Sequence, residues 1–204
     1  MRGVRWAVAT AVGLAAVLGS AAEPQAPSAA VAELAARDRG WTVLRDARLL
    51  EDRFYDGDSF HLKPGRGSEG VFRVYFADCP ETDPKLKERI AEQARAFKIP
   101  VARIPVIGKR ASEFTREFLR EGCTVYTKME VAEGSSRMTR HFAFIEARGR
   151  WLDEALIEAG LARAFGKSIE LPDGTPVRTH WNRLNRLQDA ARKAGAGAWG
   201  GDAR

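Results

Sequence analysis

The sequence predicts an α+β protein built on a small β-barrel, and three observations lead to that prediction. Segments with strand character cluster early in the chain, segments with helical spacing cluster late, and the sequence contains no internal repeat. The chain has 204 residues, 45% of them hydrophobic and 29% charged, which is typical of a globular protein with a sizeable core. One domain plus additional segments fits this length, because domains commonly hold about 100–150 residues.

Residues 1–22 have the pattern of a secretory signal peptide. Met1–Arg5 carries two Arg and no acid, residues 6–19 carry no charge, and Ser20-Ala21-Ala22 follows. The uncharged run is shorter than the about 20 residues that a spanning helix needs. We therefore expect cleavage after Ala22, with an uncleaved anchor as the alternative. The mature protein is expected to be secreted or periplasmic, monomeric and without stable membrane association.

The composition restricts the partners and the kinds of site. The net charge is +6, and cleavage of the signal peptide removes two Arg and no acid, which reduces the charge to +4. Such an excess permits a polyanionic partner without demonstrating one. Two Cys exclude a disulfide-rich scaffold and a four-Cys zinc site. His61, His141 and His180 lie too far apart for a local ligand motif, and we expect them on strand faces and a helix surface.

The elements follow from local patterns. Residues 23–40 are rich in Ala, Pro and Ser and predict a spacer with a short helix at Ala29–Arg37, before a domain that spans residues 41–200. The Gly-rich residues 64–70 lack the ending of a phosphate-binding loop and predict a hairpin turn. The predicted strands are Val43–Phe54, Ser59–Lys63, Val71–Ala77, Thr124–Val131 and His141–Glu146. The predicted helices are Leu86–Phe97, Lys109–Arg120, Trp151–Ala159 and Thr179–Lys193, and two prolines interrupt Ile99–Ile107.

Three acidic residues stand at predicted strand ends: Asp58, Asp78 and Glu81. Arg73 precedes Asp78 by five residues, so the two side chains face opposite sides of a regular strand. They meet only if the strand bends, and Pro80 is consistent with an irregularity at Ala77–Cys79. Taken singly, each acid is more simply explained as a turn or cap residue.

Two carboxylates brought together repel each other by about 4 kcal/mol at about 4 Å and an effective dielectric constant of 20. A hard divalent cation removes that repulsion. Oxygen ligands without His or thiolate favour calcium or magnesium over zinc.

These residues resemble the signature of the staphylococcal nuclease (thermonuclease) family. The resemblance covers about Val43–Trp199, and the ordered combination of motifs is far more specific than any one of them. The matching segments are Asp56-Gly57-Asp58-Ser59, Phe72–Thr82, Gly108–Phe114, Arg140–Ile145, Trp151–Leu156 and Gly160–Arg163.

The resemblance implies an OB-fold-like five-stranded β-barrel with three main helices, and calcium-dependent hydrolysis of phosphodiester bonds in DNA and RNA. It further implies cleavage of the P–O5′ bond, which leaves 3′-phosphates. By the same resemblance, Asp58 and Asp78 would bind Ca²⁺ through their carboxylates and Cys79 through its backbone carbonyl. Asp56 would lie close by without binding the cation directly.

The catalytic roles are implied in the same way. Glu81 would orient or deprotonate the attacking water, and Arg73 and Arg140 would bind the scissile phosphate. Where the family has a Lys-Tyr pair, this chain has Arg137-Met138, which leaves Arg137 as a candidate substrate contact. Cys79 replaces the usual Thr. Simple ion pairing of the two arginines with the acids is the structural alternative.

An extra helical stretch, about Pro84–Ile104, would flank the active site. Its basic residues form either a solvated face or a grip on a nucleic-acid backbone. Cys79 and Cys123 could pair as a disulfide in an oxidising compartment. A non-catalytic nuclease-like module that binds nucleic acid or a protein ligand is the alternative function, although the five acid and arginine positions are all filled. An OB-fold binding protein would leave those five residues unexplained.

Overall fold

The computed structural model describes residues 29–50, 56–133 and 139–200, and it confirms the α+β class with a closed five-stranded barrel. The strands are β1 (Thr42–Leu49), β2 (Ser59–Lys63), β3 (Gly70–Val74), β4 (Ala77–Asp78), β5 (Cys123–Ala132), β6 (Arg140–Ala147), β7 (Arg150–Trp151) and β8 (Arg163–Ala164). Neighbouring strands follow the order β3-β2-β1-β5-β6-β7, and β3 also pairs in parallel with β6, which closes the barrel. A short antiparallel pair, β4–β8, lies beside it.

The helices pack outside the barrel and agree well with the predicted ones. The α-helices among the described residues are α1 (Ala29–Asp38), α2 (Lys87–Phe97), α3 (Ile104–Phe118), α4 (Leu152–Glu158) and α5 (Val177–Ala194). The helix α3 begins five residues earlier than predicted, because Pro105 lies in its first turn, where the missing N–H costs no hydrogen bond.

The core fills the barrel with aromatic and branched side chains. The rings of Tyr75 and Phe144 lie 5.1 Å apart, and that of Trp41 lies 5.7 Å from Phe144. The side chains of Phe60, Leu62, Phe72 and Leu156 are also buried. Such packing makes the barrel a rigid support for residues at its rim.

The helix α2 corresponds to the extra helical stretch. Ile90, Gln93, Ala94 and Phe97 are buried at helical spacing, so one face of α2 packs on the protein. The helix ends at Phe97, and the next residue, Lys98, has a left-handed backbone (φ 59°). This segment is therefore a docked element of the fold.

The signal peptide predicted at residues 1–22 lies outside the described residues. The predicted limits of the spacer and of the domain stay predictions. Within the described residues, none of the helices has the length and apolar character needed to cross a membrane.

Candidate active site

Asp58 lies in a tight turn directly before β2 and is 2% exposed. The turn packs closely on its neighbours at Gly57. A Cβ there would lie 2.6 Å from the Cβ of Ala111 and 2.9 Å from the Sγ of Cys79. The hydroxyl of Thr115 also donates to the carbonyl of Gly57 at 2.7 Å. The turn is thus fixed against α3, and it directs Asp58 inward.

A bend between β3 and β4 brings Arg73 and Asp78 together. The chain leaves β3 after Val74, and Phe76 adopts a left-handed backbone with φ 61°. The predicted bend is confirmed, but the sequence analysis placed it wrongly at Ala77–Cys79. The reason for the shift is that β4 pairs with β8, which keeps Asp78 extended.

Arg73 bridges the two aspartates. Its Nη2 lies 3.4 Å from Oδ2 of Asp58 and 3.3 Å from Oδ1 of Asp78. Asp78 is 1% exposed, so its charge is withdrawn from water and depends on such partners. The two predicted metal-binding carboxylates therefore share one site.

Glu81 lies at the edge of the same cluster, with its side chain 16% exposed. Burial, with the nearby charges of Asp56 and Asp58, raises the pKa of Glu81 to about 7. Burial and the charge of Asp78 raise the pKa of Asp58 to about 6. Burial also raises the pKa of Asp56, which accepts a hydrogen bond of 2.5 Å from the Thr82 hydroxyl. Several perturbed carboxyl groups in one place are typical of a functional site.

Arg140 begins β6, beside β3, and holds its guanidinium near the acids. Its Nε is buried and has no hydrogen-bond partner among the described residues, while Nη2 donates to the Glu133 carbonyl at 3.4 Å. Burial and the like charge of Arg73 lower the pKa of Arg140. The alternative of simple ion pairing with the acids holds for Arg73 but is not observed for Arg140 in the described residues.

Three side chains for which the sequence predicted no contact with the acids lie around Asp78. Arg89 of α2 contacts Oδ1 of Asp78, and its Nε donates to Glu81 at 3.3 Å. Arg163 of β8 donates from Nε to Oδ2 of Asp78 at 2.8 Å. Glu92 binds both arginines, accepting from Arg163 at 2.7 and 2.9 Å and from Arg89 at 2.9 Å. Asp78 therefore contacts three guanidinium groups.

In the sequence, the helical spacing of Arg89, Glu92 and Gln93 was the signal that could have indicated a shared contact surface. Positions 89, 92 and 93 share one helix face, but only the tertiary structure shows that this face covers the acids. For the extra helical stretch the sequence predicted either a solvated face or a nucleic-acid contact. Neither describes Arg89, which contacts the acid cluster. Lys87, Arg95 and Lys98 are exposed and still fit a solvated face or a nucleic-acid contact.

The two cysteines are free and buried, so the disulfide considered above is not formed. Burial raises the pKa of the Cys79 thiol, which argues against a reactive thiolate beside the acids. The backbone carbonyl of Cys79 accepts a hydrogen bond of 2.8 Å from Nε2 of Gln93. One lone pair of the predicted metal-binding carbonyl is therefore already used.

The candidate donors for a hard cation are oxygen atoms throughout. They are the carboxylates of Asp58 and Asp78 and the backbone carbonyl of Cys79, the type of ligand that calcium and magnesium prefer. Within the described ranges, no group of three or more His, Cys, Asp or Glu side chains is placed to hold a metal. A cation here would thus complete its coordination with the backbone carbonyl, water and phosphate oxygens.

Two sequence predictions need separate mention. Arg137, the candidate substrate contact, lies outside the described residues. The placement of His180 on a helix surface was wrong: His180 is 1% exposed, and its Nε2 lies 2.6 Å from Oδ2 of the equally buried Asp153. This pair joins α5 to α4 in the interior.

Comparison with known families agrees with this geometry. The staphylococcal nuclease homologue family matches residues 72–201, more than half of the chain. The matched range includes Arg73, Asp78, Glu81 and Arg140. The barrel, its flanking helices and the sequence match lead to one conclusion: the chain belongs to the staphylococcal nuclease homologue family.

Proposed function

We propose that this protein is an exported, calcium-dependent nuclease that hydrolyses phosphodiester bonds of DNA and RNA. The observation that carries the proposal is the convergence of Asp58, Arg73, Asp78 and Glu81 in one cluster. Membership in a nuclease-type family supports it. The sequence pattern of residues 1–22 supports export.

The carboxylates of Asp58 and Asp78, with the carbonyl of Cys79, would hold the Ca²⁺ ion. When bound, the ion supplies Lewis-acid polarisation of the phosphate and charge neutralisation. The protein contributes a rigid arrangement of these oxygens. The amide of Cys79 donates to Oδ2 of Asp58 at 2.7 Å, which fixes one carboxylate relative to the other.

Arg73 and Arg140 would bind the phosphate oxygens. A guanidinium donates two parallel hydrogen bonds to two oxygens, which a lysine ammonium cannot do. In phosphoryl transfer the protein acts mainly through positioning and charge, so two such groups stabilise the negative charge that spreads over the oxygens. The position of the Arg140 guanidinium near Arg73, Asp58 and Glu81 supports this role.

Glu81 would orient the attacking water and accept its proton. The water oxygen forms a bond to phosphorus, the P–O5′ bond breaks, and the 5′-oxygen takes a proton from solvent. The products are a 3′-phosphate and a free 5′-hydroxyl. The position of Glu81 near Asp56, Asp58 and Arg73 supports this assignment.

The proposal is tested by incubating the purified mature chain with single-stranded DNA and with RNA, in calcium or in excess chelator. We expect cleavage only with calcium, and products that carry 3′-phosphates. Equal cleavage in chelator would refute calcium dependence, and 5′-phosphate products would refute the bond assignment. Binding of DNA without cleavage under all conditions would favour a non-catalytic binding module.

A further inference from the structure

Gln93 of α2 contacts three residues of the segment that carries the proposed metal-binding and catalytic groups, residues 78–81, here called the catalytic segment. Its Oε1 accepts from the amide of Glu81 at 2.8 Å. Its Nε2 donates to the carbonyl of Cys79 at 2.8 Å and lies 3.3 Å from Oδ2 of Asp78. The residue is 0% exposed, so these bonds are shielded from water.

Asp78 is held by its guanidinium partners and by the pairing of β4 with β8, whereas for the backbone from Cys79 to Glu81 the other hydrogen bond recorded in the described residues runs from the Cys79 amide to Asp58. The strand β4 ends at Asp78, and the chain then continues without regular structure to α2. On the opposite side the segment presses on α3, because a Cβ at Gly108 would lie 2.5 Å from the carbonyl oxygen of Pro80. The backbone from Cys79 to Glu81 is therefore held between Gln93 and Gly108.

A neutral amide is the side chain that this position requires. It must accept from the N–H of Glu81 and donate to the carbonyl of Cys79, so one amide orientation satisfies both groups. A carboxylate would place an acceptor against that carbonyl and add a charge beside Asp78. An ammonium or guanidinium would leave the N–H of Glu81 without an acceptor.

We propose that Gln93 is a positioning residue of the active site, which fixes the backbone of Cys79 and Glu81 and thereby the direction of the Glu81 carboxylate. The catalytic part of this inference rests on the proposed nuclease function. Small displacements of a catalytic group are costly, since a shift of about 1 Å can reduce the rate about 100-fold. The extra helix α2 is then part of the catalytic apparatus.

The test compares Gln93→Met with the matched control Thr127→Val. Thr127 is also 0% exposed and also bonds two backbone groups: it donates to the carbonyl of Phe142 at 2.8 Å and accepts from the amide of Met129 at 2.9 Å. Both substitutions remove buried hydrogen bonds of this type at similar side-chain volume. Thr127 makes no contact with the catalytic segment among its recorded bonds.

Two readouts are compared: amide hydrogen exchange of residues 79–81, and kcat and KM on single-stranded DNA at saturating calcium. For Gln93→Met we expect exchange of the Glu81 amide to accelerate at least about tenfold. We expect kcat to fall at least about tenfold, with KM changed less than about threefold. Thr127→Val should lower the melting temperature while leaving both readouts near wild type.

A folded Gln93→Met protein with kcat and Glu81 exchange within twofold of the control would overturn the inference. If the Met variant does not fold, exchange is measured on Gln93→Glu, whose carboxylate places an acceptor against the carbonyl of Cys79. Accelerated exchange at Glu81 supports the inference in that variant, and exchange within twofold of wild type contradicts it. A wild-type protein that cleaves no nucleic acid refutes the proposed function, while the exchange measurement still decides whether Gln93 holds the segment.

Discussion

The carboxylate of Asp58 accepts a hydrogen bond of 2.7 Å from the backbone amide of Cys79, 21 positions further along the chain. This bond joins the turn before β2 to the end of β4, so the two segments that carry the acids form one unit. Arg73 binds the carboxylates of Asp58 and Asp78 across the same junction. Both aspartates are almost fully buried, so the contacts within this unit are shielded from water.

Arg140→Lys is expected to lower the single-turnover rate of cleavage about 100-fold or more while the protein remains folded. Lysine keeps the charge but loses the planar set of donors, and removal of one well-placed donor at a transition state costs about 10²–10³ in rate. The measurement is single-turnover cleavage of DNA. Arg150→Lys is the control, because Arg150 is exposed and pairs with Glu158 at 2.5 Å. Equal rates for the two variants would show that the guanidinium of Arg140 is not used.

Arg89→Met is expected to tighten calcium binding about three- to tenfold, which corresponds to about 0.6–1.4 kcal/mol. The guanidinium of Arg89 contacts Asp78 and Glu81, so it competes with a cation for the same carboxylate oxygens. The dissociation constant is measured by isothermal titration calorimetry. The control is Arg95→Met, which removes an equal charge from an exposed position on the same helix. It should leave the dissociation constant for calcium unchanged. Weaker binding in Arg89→Met would mean that Arg89 supports the cation site.

Gly108→Ala is expected to destabilise the protein by about 1–3 kcal/mol and to reduce activity. The added methyl group would lie 2.5 Å from the carbonyl oxygen of Pro80 and 2.8 Å from that of Glu81, and backbone atoms move only at a cost. Urea denaturation gives the change in the free energy of unfolding. Lys109→Ala, at the exposed neighbouring position, should change it by less than about 0.5 kcal/mol. Similar stability of the two variants would contradict the close approach of α3 to the catalytic segment.

Local patterns were sufficient to predict most of the elements. Ser59–Lys63 forms a strand with the predicted limits, because alternating residues and the preceding Asp-Gly turn fix both ends. Gly160 follows the predicted helix and has φ 68°, a conformation that favours glycine. The family resemblance identified the acids and Arg73, and the structure brings these side chains together.

The interactions that local patterns could not predict join distant segments. Arg163 binds Asp78 across 85 positions, and this pairing depends on how β8 meets β4. His180 looks like a surface residue on an amphipathic helix until α4 supplies Asp153 as a buried partner. Arg89 and Gln93 lie on a predicted helix, but its docking direction depends on the packing of Ile90 and Phe97 in the core.

The catalytic assignment is tested most directly by Glu81→Gln, measured as the single-turnover rate of DNA cleavage in saturating calcium. Glutamine keeps the size of the side chain and its ability to accept from Arg89, but it cannot take a proton from water. Glu113→Gln is the matched control, because Glu113 is exposed on α3. We expect a rate about 10²–10⁴ times lower than that of the control. A folded Glu81→Gln protein that cleaves DNA at the rate of the control would contradict the account.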